Sequence, residues 1–220
     1  MKRSSVKKMS VMSGLLLFFL PFALNINAKE YKKPGLLIIS HGSSNQEANN
    51  KVETMVEEMR KENNDKNYFH AIENAFLEVG APTVKTGVER LQKAGCDMIV
   101  AVPFFTSQDG HTQEDIPVVL GLSSDPEILA ELKEEGIELA NPKLPVVITK
   151  TLNETKLLRN FAKSEVDSMS LKGKEETLVL VSLEKNDYKD IVTPKIAEAA
   201  KYAANAKGIK KLQRYLFLAG

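Results

Sequence analysis

The sequence predicts an α/β protein built on an open parallel sheet with helices on both faces, followed by a partial second α/β half. Three observations predict it. Short continuous apolar runs recur and stop at loops rich in Gly, Pro or Ser, as strands buried on both faces do. Between them lie stretches whose apolar residues repeat every three or four positions, the pattern of amphipathic helices. After residue 172 the order of elements starts again.

Pro34 and Gly35 introduce Leu36-Leu37-Ile38-Ile39, a buried strand that ends at Ser40-His41-Gly42-Ser43-Ser44-Asn45. Ala48, Val52, Met55, Val56 and Met59 then mark a helix over Gln46–Lys61, capped by Ser43, Ser44 or Asn45. Tyr68–Leu77 reads as the second strand, Pro82–Ala94 as a helix ending before Gly95, and Met98–Val102 as the third strand. A long loop, Pro103–Thr112, follows. Helices are expected near Gln113, over Pro126–Glu135 and over Asn153–Ser168, with a strand at Val146–Thr149. Strands alternating with helices imply a parallel sheet covered on both sides. Beyond Leu171-Lys172-Gly173-Lys174, Thr177–Ser182, Tyr188–Ala206 and Leu212–Leu218 read as strand, helix and strand. They are either the opening of a second copy or an accessory β-α-β extension of the first sheet.

The chain's beginning reads as an address. Lys2, Arg3, Lys7 and Lys8 precede an uncharged apolar run, Val11–Leu24, and Ile26-Asn27-Ala28 offers a cleavage site, so residues 1–28 are expected to be a signal peptide. The run is short for a membrane-spanning helix, which needs about 20 apolar residues, and an uncleaved anchor is the alternative. Cleavage implies an exported protein, periplasmic or extracellular, with no stable membrane span. The mature chain would hold 26 Lys and Arg against 29 Asp and Glu, a net charge of −3. Such a balance argues against nucleic acid and membrane surfaces, since the basic cluster at Lys207–Arg214 is more simply a solvated helix end. The lone Cys96 forms no internal disulfide and reads as a small buried thiol before a strand. The expected domains are 29–172 and 173–220.

In an open parallel sheet, ligands bind beyond the carboxyl ends of the strands. His41 follows the first strand, Glu78 the second, and the loop with His111 the third. Both histidines neighbour glycines, Gly42 and Gly110, which let backbone approach a ligand closely. Either histidine alone could be a cap or a solvated side chain; together on one rim they mark a site. His70, near the start of its strand, is expected to be structural. His41, Glu78 and His111 are thus three potential ligands or proton acceptors on one rim, contributed by segments far apart in sequence. Ser40, Ser43, Ser44 and Asn45, at a helix start, suit an anionic group or simple capping. Phe104 and Phe105 line a ligand or end the core; one of each is expected.

Gly35 to Ser43, then Phe76-Leu77-Glu78 with Pro82, then Val102-Pro103-Phe104-Phe105 with Gly110-His111 and Asp115-Ile116-Pro117, resemble the class II tetrapyrrole chelatases that act on sirohydrochlorin. The resemblance covers roughly residues 34–170. It implies insertion of Co²⁺, Fe²⁺ or Ni²⁺ into sirohydrochlorin or a related tetrapyrrole with no nucleotide. It also implies that His41 and His111 bind the metal and assist proton removal, with Glu78 beside them. Metal and tetrapyrrole would both be substrates.

Two features depart from that family. Val181-Ser182-Leu183-Glu184 puts Leu183 where a second copy would need a histidine, so a homo-oligomer is one way to complete the cleft. Export is unusual for tetrapyrrole synthesis, and an exported non-enzymatic tetrapyrrole or metal carrier is the main alternative. A histidine phosphatase is disfavoured, because Ser40 stands where an arginine would hold the phosphoryl group.

Overall fold

Leu36, Leu37, Ile38 and Ile39 are all nearly inaccessible to solvent, as expected of a strand covered on both sides. In the computed structural model, which describes residues 30–219, this strand is β1 (Pro34–Gly42) and lies inside the sheet. The expected signal peptide lies outside the described residues. β2 (Ala71–Val79), β3 (Met98–Pro103) and β4 (Val146–Ile148) complete a four-stranded sheet in the order β2-β1-β3-β4, every pairing parallel.

The alternation along β1 divides the core in two. Leu36 and Ile38 face α1 (Gln46–Lys66), packing with Val56 and Ile72 and with partly buried Met55 and Met59. Leu37 and Ile39 face the other way, onto Val84, Val88 and Leu91 of α2 (Val84–Lys93) and onto α3 (Ile116–Val119) and α4 (Pro126–Glu134). Cys96 is buried on this side as a free thiol, and burial pushes its pKa up.

Several boundaries differ from the sequence expectation, and β1 continues through Gly42, so His41 lies in the last residues of the strand instead of after it. α1 runs past Lys61 to Lys66 through a polar turn that buries nothing, ending where Asn67 turns left-handed (φ 51°). Asn45 is its cap, accepting a hydrogen bond from the Glu47 amide at 3.0 Å. β2 starts and ends later than expected, which places Glu78 inside the strand rather than after it. The helix expected near Gln113 begins as a π-helical turn over His111–Asp115 that leads into α3.

A second parallel ribbon pairs β5 (Thr177–Lys185) with β6 (Lys211–Ala219) through α6 (Lys189–Lys207). α5 (Lys156–Met169), on the near side of the expected 172/173 boundary, packs along α6 around Val166, Ala203 and Ala204. The described residues from Tyr31 onward form one compact unit.

Candidate metal centre

The chain passes from β1 to β2 on one side and then crosses to β3 on the other, so the order reverses at β1. That reversal opens a crevice at the carboxyl ends of β1 and β3, the usual ligand position in such sheets. His41 lies at the end of β1, and His111 starts the π-helical turn after β3. π-helical turns recur at functional sites because they displace one side chain from regular helix spacing.

A register shift aims the third group. Ser40 pairs with Phe76 and Gly42 with Val79, so Leu77 and Glu78 together oppose the single residue His41. The extra residue of such a bulge lets neighbouring side chains diverge. Leu77 stays in the core while Glu78 meets His41, its Oε2 3.2 Å from His41 Nε2. Gly42 makes the close approach possible. At φ 90° it holds a conformation that side chains disfavour, and a Cβ there would stand 1.9 Å from the Val79 carbonyl oxygen. Gly110, by contrast, has ordinary helical angles (φ −54°, ψ −44°), so its conformational freedom is not what the site uses.

The three groups converge. One ligand atom from each of His41, Glu78 and His111 lies within 4.8 Å of the others. The two imidazoles stand 5.0 Å apart, nearly perpendicular at 77°, and Glu78 Oε1 is 3.4 Å from His111 Nδ1. His41 Nδ1 lies 3.0 Å from the Gly42 carbonyl oxygen and donates to it, which leaves the Nε2 lone pair facing Glu78. A lone pair and a carboxylate repel unless a proton or a metal ion lies between them, so the arrangement calls for a cation. On the other ring, Nδ1–H donates to Asp115 Oδ2 at 2.7 Å, and Nε2 keeps the lone pair. This hydrogen bond holds the His111 pKa above the usual imidazole value; burial opposes it, and Asp109 and Glu78 add to it.

The other expected site residues divide. Phe105 is buried in the core, yet its ring lies 6.5 Å from His41 and 6.1 Å from His111, so it forms the apolar floor under both rings. Phe104 is 38% exposed at the rim. Ser43 Oγ accepts from the Asn45 amide at 3.0 Å, a turn-forming role, and Ser44 is exposed. Ser40 is buried, and its hydroxyl has no protein partner. His70 is removed from the site, its Nε2 3.0 Å from the Ala94 carbonyl oxygen.

Sequence reasoning gave no role to Asp115. Its signal was present, for positions four apart in a helical turn share a face.

The sequence profile of the CbiX family matches residues 35–169. The chain belongs to the CbiX family. The sirohydrochlorin cobaltochelatase of Saccharolobus solfataricus is 32% identical over 127 residues, which are 55% of this chain and 94% of that protein. The sirohydrochlorin cobaltochelatase of Methanopyrus kandleri is 34% identical over 93 residues, 41% of this chain and 60% of its own. Among solved structures, SirB from Bacillus subtilis with Fe³⁺ superposes with a TM-score of 0.63 at 18% identity, covering 84% of this chain and 66% of that one. The sirohydrochlorin chelatase SirB from B. subtilis subspecies spizizenii in complex with cobalt gives 0.59 at 19% identity. The 84% coverage is more than residues 35–169 alone supply, so the fold likeness to SirB reaches into the C-terminal segment.

Proposed function

We propose that this chain is a chelatase that inserts a divalent metal ion into sirohydrochlorin without a nucleotide, with Co²⁺ as the favoured ion. The observation that carries the reading is the meeting of His41, Glu78 and His111 at the switch point of the sheet. Family membership and the names of the cobaltochelatase relatives support the substrate class.

The chemistry fits these groups. Insertion exchanges one M²⁺ for the two pyrrole N–H protons of the ring, so the site must bind the ion weakly enough to surrender it and must take up protons. Two neutral imidazoles and one carboxylate fill three coordination positions and leave the rest for water and ring nitrogens. A closed four-ligand set would retain the ion. Imidazole and carboxylate donors accept Fe²⁺, Co²⁺ and Ni²⁺, and the cobaltochelatase names of the relatives favour Co²⁺ among them. Glu78 touches both imidazoles and is placed to receive a proton as the ion departs. Phe105 keeps one side of the rings dry, which strengthens the electrostatics there.

The test is an insertion assay on full-length protein with sirohydrochlorin and Co²⁺, Fe²⁺ or Ni²⁺, followed by the loss of the free-base absorption. A rate above the metal-only control that falls on Glu78→Gln supports the enzyme. One observation favours a second reading, a carrier working outside the cytosol: the basic start and apolar run of residues 1–28. Tetrapyrrole binding without a metallated product would favour the carrier, and N-terminal sequencing of the protein from cell fractions would test export. No helix among the described residues is long and apolar enough to cross a membrane.

A further inference from the structure

The C-terminal segment supplies no histidine, since Leu183 stands where a second copy would need one. It does reach the loop that carries His111. Tyr188, which precedes the first turn of α6, donates its phenol proton to Glu114 Oε1 at 2.7 Å. Lys195 donates from Nζ to Gln108 Oε1 at 2.9 Å. The two residues are seven apart, two helical turns, and so lie on one face of the segment. Their acceptors bracket His111, at positions 108 and 114.

The bracketed loop is closed on itself by local bonds. The Thr112 amide donates to Asp109 Oδ1 at 3.1 Å, and the Asp109 amide to Thr112 Oγ1 at 3.0 Å. Such bonds fix the shape of a turn but not where it stands. Its start is tied through the Phe105 and Thr106 carbonyl oxygens, which accept from the Leu152 and Asn153 amides at 3.2 and 3.0 Å. Between those ties and α3, Lys195 contacts the loop before the π-helical turn and Tyr188 contacts the turn itself.

We propose that Tyr188 and Lys195 are positioning residues of the metal centre, clamping Gln108 and Glu114 so that the His111 ring stays opposite His41. The C-terminal ribbon thus serves the site through hydrogen bonds to its loop instead of through a ligand of its own. Burial and the neighbouring Glu114 push the Tyr188 phenol far above its ordinary pKa, so it stays a hydrogen-bond donor at any pH where the imidazoles bind metal. The assignment rests on the reading of His41, Glu78 and His111 as the metal-handling set.

The experiment titrates Co²⁺ into full-length wild type, Tyr188→Phe, Glu114→Ala, Glu114→Gln and Lys195→Met, recording calorimetric affinity and the visible absorption of bound Co²⁺. Partners that orient a metal ligand typically matter by roughly 10–100-fold in affinity. Tyr188→Phe, Glu114→Ala and Lys195→Met are expected to weaken Co²⁺ binding by about tenfold each and to change the absorption band, with Tyr188→Phe and Glu114→Ala no worse combined than singly. Glu114→Gln keeps an acceptor oxygen and is expected to bind like wild type. Arg159→Met breaks the 3.3 Å contact to Glu198 between α5 and α6, away from the loop, and is expected to leave affinity unchanged. Wild-type affinity in both Tyr188→Phe and Glu114→Ala, or losses that simply add, would overturn the clamp. If Tyr188→Phe fails to fold, the exposed Glu114 variants carry the same test. If wild type binds no Co²⁺, the metal-site reading fails by itself. The clamp is then judged by amide hydrogen exchange over residues 108–114, where faster exchange in Glu114→Ala supports it and unchanged exchange overturns it.

Discussion

Asp115 Oδ2 accepts a hydrogen bond from His111 Nδ1 at 2.7 Å, one turn along the same π-helical segment. This contact decides which nitrogen of the ring is available. With Nδ1 carrying the proton, Nε2 has the lone pair, and the carboxylate raises its basicity, as partners of metal-binding histidines do. His41 reaches the same state by another route, with Nδ1 on the Gly42 carbonyl oxygen. On His41 this leaves Nε2 toward Glu78 Oε2 at 3.2 Å, while the Nδ1 side of His111 faces both Asp115 and Glu78.

Asp115→Ala removes the acceptor and frees the ring to turn or change tautomer. Co²⁺ affinity is expected to fall roughly 10–100-fold, with a smaller loss for Asp115→Asn, whose amide oxygen can still accept the Nδ1 proton. Calorimetric titration checks it. Equal affinities in wild type and Asp115→Ala would mean that the contact orients nothing.

The same bond predicts opposite pH dependences for stability and for metal binding. The His111 pKa is raised above 6.5, chiefly by the Asp115 hydrogen bond, so the folded metal-free protein binds this proton more tightly than the unfolded chain. Its contribution to stability is fully present below the unfolded pKa and is lost as pH rises through the folded value. Metal needs the neutral ring, so Co²⁺ binding weakens as pH falls through that raised value, earlier than for an ordinary imidazole. Melting curves of metal-free protein and Co²⁺ titrations between pH 5.5 and 8.5 would show the two trends. Asp115→Ala should flatten the stability trend and move the fall in Co²⁺ binding to lower pH, and unchanged curves in that variant would contradict the assignment.

His41→Ala and His111→Ala are each expected to abolish metal insertion, whereas His70→Ala leaves it largely intact. The first two remove ligand nitrogens from a three-group cluster, and His70 sits elsewhere against the Ala94 carbonyl oxygen. Residual insertion in either of the first two variants at wild-type rate would exclude that ring from the reaction.

Much of this arrangement can be read in one dimension. β1 and β3 announce themselves because burial on both faces leaves no polar residue between Leu36 and Ile39 or between Ile99 and Val102. His41 and His111 stand out as histidines beyond such apolar runs, although the structure puts His41 in the last residues of β1 and His111 in a π-helical turn. What could not be read depends on relations between segments. Glu78 was expected after β2, but it lies within the strand, and it meets His41 only through a bulge that belongs to the pairing of two strands. The last turn of α1 buries nothing, so no apolar period marks it. Tyr188 and Glu114 are 74 residues apart, and no local pattern predicts their contact.

Gly42→Ala tests whether the backbone at the end of β1 matters to the metal ligands. The substitution demands a left-handed conformation at φ 90° and drives a methyl group to within 1.9 Å of the Val79 carbonyl oxygen. A residue held in such a sparsely populated conformation costs about 1–3 kcal/mol before any clash. Relief requires β1 and β2 to move apart next to His41 and Glu78. The variant is therefore expected to lose both melting temperature and Co²⁺ affinity. Gly95→Ala separates the two effects, for Gly95 also has a positive φ (83°) but nothing lies within 4 Å of its would-be Cβ. It should lower stability through strain alone and bind Co²⁺ normally. If both variants weaken metal binding equally, strain and lost stability account for the effect. If only Gly42→Ala does, the close approach of Gly42 to Val79 is what holds His41 against Glu78.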